Sequence, residues 1–166
     1  MNPLWAYFWP CFAVGLVAGL LAGIVGFHRR TKRNGALGIG LVAALGAAAL
    51  WSGPVGGADR FAAEVEGGLR QVLAYYEMTQ VTAHLHHGPL TRHVLLSGRA
   101  DSFQHSELIR LINQLPGVES AGWSADGGGL PLVVEGLGVA VLGFLFGLLL
   151  AYLIELRRRY NAQWTW

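Results

Sequence analysis

Charged residues and cysteine are both scarce in this chain of 166 residues. Only 13% of the residues are charged, against roughly 25% in soluble domains, while 53% are hydrophobic. The single cysteine, Cys11, excludes an intrachain disulfide and any metal knuckle built from paired cysteines. These shortages make a simple soluble domain unexpected, and the high apolar content excludes a disordered chain.

Three long runs without charge explain the shortage. About 20 apolar residues suffice for a helix to cross a bilayer, and the runs predict transmembrane helices over residues 4–27, 35–55 and 132–154. The first basic residues follow the first run, whereas a cleaved signal peptide carries them before its apolar segment, so we expect this helix to be retained. Tryptophans, which favour the headgroup layer, lie near the ends of the predicted spans: Trp5, Trp9, Trp51, Trp164 and Trp166.

Lysine and arginine predict how these helices are oriented, because they favour the cytoplasmic side. Seven of the twelve basic residues form two clusters: Arg29, Arg30, Lys32, Arg33, Arg157, Arg158 and Arg159. Three spans place both clusters on one side, which predicts a basic cytoplasmic loop at residues 28–34 and a cytoplasmic tail at 155–166. The N-terminus and residues 58–126 are then expected in the periplasm, on the outer face of a bacterial inner membrane.

The segment between the second and third spans has the patterns of a small domain. Phe61, Val65 and Leu69 form a helical stripe with Asp59 as the expected N-cap. Strict alternation over residues 81–86 predicts a strand whose apolar side chains point inward, namely Val81, Ala83 and Leu85.

The rest of this segment completes a small α+β domain. We expect a second strand near residues 92–97, a helix capped by Asp101 or Ser102, and a third strand near 118–123. The predicted fold class is therefore a membrane protein with three transmembrane α-helices and one extramembrane domain of order helix, strand, strand, helix, strand.

Three short runs in this domain carry a family resemblance: VTAHL at 81–85, VLLSG at 94–98 and LPGVESA at 115–121. Over residues 60–124 the chain resembles a BON domain, in which a strand ending in a V.L.G pattern is followed by a helix ending in PGV. The loop around residues 86–92 departs from the tight hairpin of that family. The resemblance implies a non-enzymatic module of the bacterial envelope that contacts phospholipid or other envelope components, and it leaves the three spans unexplained.

Histidines are concentrated in the same domain. His84 and His86 share one side of the first strand, and His93 lies on the strand expected beside it, a spacing that suits a transition metal. The favoured interpretation is instead a solvated strand face, which would respond to pH, because the residues alternating with them are apolar. His28, next to the first basic cluster, is interpreted as part of that anchor, with an axial haem or chlorophyll ligand as the alternative.

Glycine spacing within the spans predicts close helix packing. Small residues four apart share one helix face and let another backbone approach. The predicted packing residues are Gly15, Gly19 and Gly23 in the first span and Gly136, Gly143 and Gly147 in the third, with Gly38, Ala44 and Ala48 added by the second. The partner of the first span is left open between the second span and another protein.

Motifs for catalysis and for cofactors are missing from the sequence. Gly127-Gly128-Gly129 lacks the Lys-Ser/Thr of a phosphate-binding loop, and no Gly-x-Ser-x-Gly elbow occurs. We therefore expect no catalytic residue, no cofactor, no nucleic-acid partner and no small-molecule substrate. The expected partners are membrane lipids and other integral membrane subunits. The predicted function is a non-enzymatic accessory or scaffold subunit of a larger complex, respiratory or photosynthetic. The alternative is an envelope-binding module that uses its BON-like domain.

Overall fold

Three long apolar helices dominate the computed structural model, which describes residues 2–28, 33–124 and 129–162. In chain order the elements are α1 (Pro3–His28), α2 (Arg33–Ser52), α3 (Gly57–Tyr75), β1 (Val81–His87), β2 (Leu90–Gly98), α4 (Ser102–Ile112), β3 (Ser120–Gly122) and α5 (Leu132–Ala162). In the described part of the chain, α1, α2 and α5 are the three helices long and apolar enough to cross a membrane. Their length and composition support a membrane location.

Two of the long helices end at positions that differ from those expected. α2 ends at Ser52, three residues before the expected boundary, because Gly53 and Pro54 follow and proline cannot continue a helix. α5 continues through the arginines to Ala162, since arginine is a good helix former. An ion pair one turn apart, with 2.9 Å between Arg159 Nε and Glu155 Oε1, supports this last stretch.

The chain divides into two compact units. The first, called here the mixed unit, combines Met1–Tyr7 with Gly56–Glu135. The second, called here the helical unit, combines Phe8–Val55 with Gly136–Trp166.

The mixed unit has the predicted order of helix, strand, strand, helix, strand. Its three-stranded sheet has the order β1-β2-β3, with β1 antiparallel and β3 parallel to β2. The parallel pairing requires a crossover connection, and α4 provides it. Val81 and Leu85 are buried as predicted, whereas Ala83 is half-buried.

The core of the mixed unit lies between α3, α4 and one face of the sheet, and it also includes residues at the starts of α1 and α5. The large buried apolar side chains are Tyr7, Phe61, Val65, Leu69, Leu73, Val81, Leu85, Val94, Leu96, Leu108, Ile112 and Leu132, and Ala58 and Ala62 are buried with them. The Tyr7 hydroxyl donates a hydrogen bond to the Leu132 carbonyl at 3.3 Å, and the rings of Tyr7 and Phe61 lie 5.8 Å apart. The chain that enters α1 and α5 is therefore part of this core.

The start of α3 corrects one prediction. The helix begins at Gly57, and its N-cap is Gly56, which has a φ of +76°. Asp59 is therefore not the cap; it lies in the first turn, where its carboxylate still interacts favourably with the helix dipole. α3 continues without interruption through Gly67 and Gly68.

The α4 start and the turn after α4 follow the sequence closely. Asp101 is the N-cap, and its backbone N–H donates to Gln104 Oε1 at 2.9 Å in a capping box. Gly117, in the turn before β3, has a φ of +102°. A Cβ at this position would lie 2.7 Å from Val65 Cγ2, so glycine is required by conformation and by space.

Candidate functional site

The three candidate metal ligands do not form a metal site. In the described ranges, no group of three or more histidine, cysteine, aspartate or glutamate side chains could hold a metal ion. His84 is exposed, and His86 Nδ1 donates to the Pro89 carbonyl at 3.1 Å. His87, which was not a candidate ligand, forms an ion pair with Glu66 at 3.0 Å when protonated.

His93 differs from the other two candidates because it is buried, with 4% of its surface exposed. The expectation of a solvated face is wrong at this position, since β3 pairs with β2 on that side and brings Ser120 opposite His93. The Ser120 hydroxyl lies 2.8 Å from His93 Nδ1, and Nε2 has no hydrogen-bond partner among the described residues. Gly122 leaves room for the ring, because a Cβ there would lie 3.4 Å from His93 Cε1.

Arg92 forms a charged cluster at the start of α5. Its Nε lies 2.9 Å from Glu135 Oε2, and its Nη2 lies 3.5 Å from Glu119 Oε2. The Arg92 and Glu135 side chains are only 20% and 14% exposed. These residues are far apart in the sequence, and the only sign of the cluster there is the lone carboxylate of Glu135 beside an apolar span.

The predicted glycine motif in α1 packs against α5 of the same chain. A Cβ on Gly15 would overlap the Ala140 carbonyl oxygen, and a Cβ on Gly19 would overlap that of Phe144. The contact is reciprocal, because Gly143 lies against the Phe12 carbonyl and Gly147 against that of Leu16. Gly15, Gly19, Gly143 and Gly147 are called here the glycine seam.

The remaining predicted packing glycines lie on the same side of their helices. Gly23 abuts the Ala151 methyl group, and Gly136 is buried. Backbone contact of this kind gains van der Waals energy and weak Cα–H···O hydrogen bonds. Neither partner considered from the sequence, the second span or another protein, occupies this face: α1 packs its glycines on α5.

α2 joins this helix pair mainly through alanines. Ala44 contacts Ala22 and Phe144, and Ala48 contacts Cys11 and Ala140. The predicted contact at Gly38 is wrong, because nothing lies within 4 Å of a Cβ built there. Gly40 makes the close contact instead, where a Cβ would lie 2.6 Å from the Ala22 methyl group.

Three glycines of α2 lie on a surface with no contacts in the described chain. A Cβ on Gly35, Gly38 or Gly46 would meet no heavy atom within 4 Å. Val42 is 70% exposed on the same side of α2, since residues three and four apart are neighbours on a helix. These four residues are called here the open α2 face. The exposed surface of α5 has one such glycine, Gly138, and otherwise large side chains such as Leu142, Leu145, Phe146, Leu149 and Leu153.

The basic clusters are described only in part. Arg33 forms the first residue of α2, and Arg157, Arg158 and Arg159 are exposed near the end of α5. The predicted anchors Arg29, Arg30 and Lys32 lie outside the described residues. The same holds for the His28 side chain.

Exposed aromatic side chains mark one end of α3 and the start of α4. Tyr75 is 81% exposed and Phe103 is 74% exposed, with Tyr76 beside them. Tyr76 and Phe103 line a shallow cavity of about 330 Å³ together with Met78, Leu108 and Leu111. Tyr75, Tyr76 and Phe103 are called here the aromatic patch.

Comparisons of the chain with protein-family models, with curated proteins and with solved structures find no match.

Proposed function

We propose that this chain is a non-enzymatic accessory subunit of a larger complex in a bacterial inner membrane, and that a helix of another subunit packs on the open α2 face. The observation that carries this proposal is the contrast between the two sets of glycines. The glycine seam of α1 and α5 packs inside the chain, whereas an added Cβ on Gly35, Gly38 or Gly46 of α2 would meet no described atom within 4 Å. Gly138 of α5 is open in the same way, but it is a single position, whereas the three α2 glycines share one helix face.

A helix surface that faces lipid gains no stability from glycine. Glycine offers lipid no side chain and weakens a helix by about 1 kcal/mol relative to alanine. Its advantage in a membrane is that it lets a second backbone come close. Four residues spread over three turns of α2 give a surface long enough for a crossing helix.

The topology proposed from the basic residues fits this role. With the basic clusters in the cytoplasm, residues 58–126 lie in the periplasm. Respiratory and photosynthetic complexes are the proposed hosts, because they contain small subunits of this kind.

Co-purification from native membranes in a mild detergent tests the proposal. We expect the wild-type chain to carry another integral membrane protein in fixed stoichiometry. The double substitution Gly38→Leu and Gly46→Leu should release that protein, because both side chains have room in the chain itself yet block a second backbone. Leu145→Phe on exposed α5 surface is the matched control and should retain it. A wild-type chain that purifies alone contradicts the proposal.

A second candidate function is contact with the envelope through the mixed unit, in line with the BON-like resemblance. The aromatic patch favours it, because tyrosine and phenylalanine this exposed are typical of interaction surfaces. The test uses the full chain in nanodiscs and measures sedimentation with added phospholipid vesicles. Tyr75→Ser with Phe103→Ser should abolish binding, whereas no binding by the wild type contradicts this function.

A further inference from the structure

A groove between α1 and α2 has a volume of about 720 Å³. It runs from Ala13 and Ala47 at one end to Val25 and Ala36 at the other. Every residue that lines it is apolar, and Gly40 and Ala43 form much of its α2 wall. The part of a ligand that enters this groove must therefore have no polar groups.

The length of the groove limits what fits it. Ala13 and Val25 are twelve residues apart on α1, which corresponds to about 18 Å of helix. One leaflet of a bilayer has a hydrocarbon layer of about 15 Å, half of the whole core. An acyl chain of one leaflet matches this length, whereas a membrane-spanning partner helix would need a surface about twice as long.

A second, polar cavity is lined by Gly26, Phe27 and Arg33, which adjoin Val25 and Ala36 in the sequence. It has a volume of about 240 Å³, and its charged lining residues are Arg33, Glu155 and Arg159. Glu155 is already paired with Arg159 at 2.9 Å. Arg33 has no ion pair with any described residue, so the cavity has one uncompensated positive charge. A negatively charged headgroup complements that charge.

We propose that the two cavities together bind one anionic phospholipid, with its phosphate against the Arg33 guanidinium and one acyl chain along the groove. The groove borders the open α2 face, because Ile39 and Ala43, which line it, lie three positions from Val42 and Gly46. The inference goes beyond the proposed function, since a chain with no partner subunit would still hold this lipid.

Native mass spectrometry of the full chain tests the proposal. The protein is reconstituted with equal amounts of phosphatidylglycerol and phosphatidylcholine and released in a mild detergent. We expect one retained lipid per chain and a preference for phosphatidylglycerol of roughly fivefold, which one arginine near a lipid surface predicts. Arg33→Gln should remove the preference and keep the retained lipid.

Variants of the groove test the acyl chain separately. Ala43→Phe fills the groove and should reduce retention of both lipids by roughly tenfold, with the smaller Ala43→Leu as a second variant if the first fails to fold. Leu149→Phe, on exposed α5 surface, is the control and should retain lipid as the wild type does.

Three results would each overturn the proposal. The first is lipid retention by a folded Ala43→Phe or Ala43→Leu variant equal to that of the wild type, and the second is an unchanged phosphatidylglycerol preference in Arg33→Gln. The third is a wild type without retained lipid; a change of its oligomeric state in Ala43→Phe would then assign the groove to a second copy or a partner helix.

Discussion

The α-carbon of Gly19 lies directly against the backbone carbonyl of Phe144, so that a Cβ on Gly19 would lie 2.8 Å from the Phe144 carbonyl carbon. On α5, Gly147 packs in the same way against the backbone carbonyl of Leu16 in α1. α1 and α5 therefore touch backbone to backbone, and the glycine spacing is explained inside the chain. Gly35, Gly38 and Gly46 of α2 have no such contact with the described residues, and we propose a partner helix for that face.

The glycine seam predicts a strong position dependence of alanine substitutions. Gly19→Ala should lower the free energy of unfolding by about 1–3 kcal/mol, because α1 and α5 must move apart to admit the methyl group. Gly46→Ala is the matched control: it meets nothing within 4 Å and should be neutral or stabilising by up to about 1 kcal/mol. Unfolding in mixed detergent micelles measures both. Equal effects of the two substitutions would contradict the described packing.

The charged cluster at the start of α5 predicts unequal roles for its two carboxylates. Glu135→Gln should destabilise the mixed unit by about 1–3 kcal/mol, because Arg92 is largely buried and loses a charged hydrogen bond. Glu119→Gln should cost less than about 1 kcal/mol, since that carboxylate is 43% exposed and lies 3.5 Å away. Thermal unfolding followed by circular dichroism compares them, and a larger effect at Glu119 would refute this assignment.

The buried His93 predicts a role for the Ser120 hydroxyl. Ser120→Ala removes the hydroxyl beside Nδ1 and should cost about 1–3 kcal/mol, because a buried polar atom then lacks its partner. Ser106→Ala, at an exposed position in α4, is the control and should change stability by less than about 0.5 kcal/mol. If both substitutions prove equally mild in chemical denaturation, His93 is not held by Ser120.

The Tyr7 contact predicts that the start of α1 stabilises the mixed unit. Tyr7→Phe should cost about 0.5–1.5 kcal/mol through the lost hydrogen bond to Leu132, and Tyr7→Ala about 3–5 kcal/mol through the lost ring. Hydrogen exchange of the core amides in α3 measures the effect. Tyr75→Phe, at a position that is 81% exposed, should leave exchange unchanged. Unchanged exchange in Tyr7→Ala would show that this segment is dispensable.

Local patterns predicted the elements of the fold better than the contacts between them. The order of the mixed unit and the cap at Asp101 follow from periodicity and from residues a few positions apart. His93 escaped the prediction because its burial depends on β3, which lies 27 residues further along the chain. Alternation along one strand does not show which residues of a distant strand lie beside its polar side chains.

The glycines show the same division between local and distant information. Spacing by four marked the face of α1 that packs closely, yet the register of α1 on α5 is set by the two surfaces together. In α2 the sequence selected Gly38, whereas Gly40 makes the contact and Gly38 stays open. Both residues belong to one glycine-rich helix, and only the packed bundle distinguishes them.

Site-specific photocrosslinking in intact cells tests the central claim most directly. A photoreactive amino acid at Gly46, on the open α2 face, should give one crosslinked product with another integral membrane subunit, and Gly38→Leu in the same chain should suppress it. The same amino acid at Leu149 of α5 should give no such product. Equal crosslinking at the two positions, or a Gly46 product indifferent to Gly38→Leu, would contradict the account.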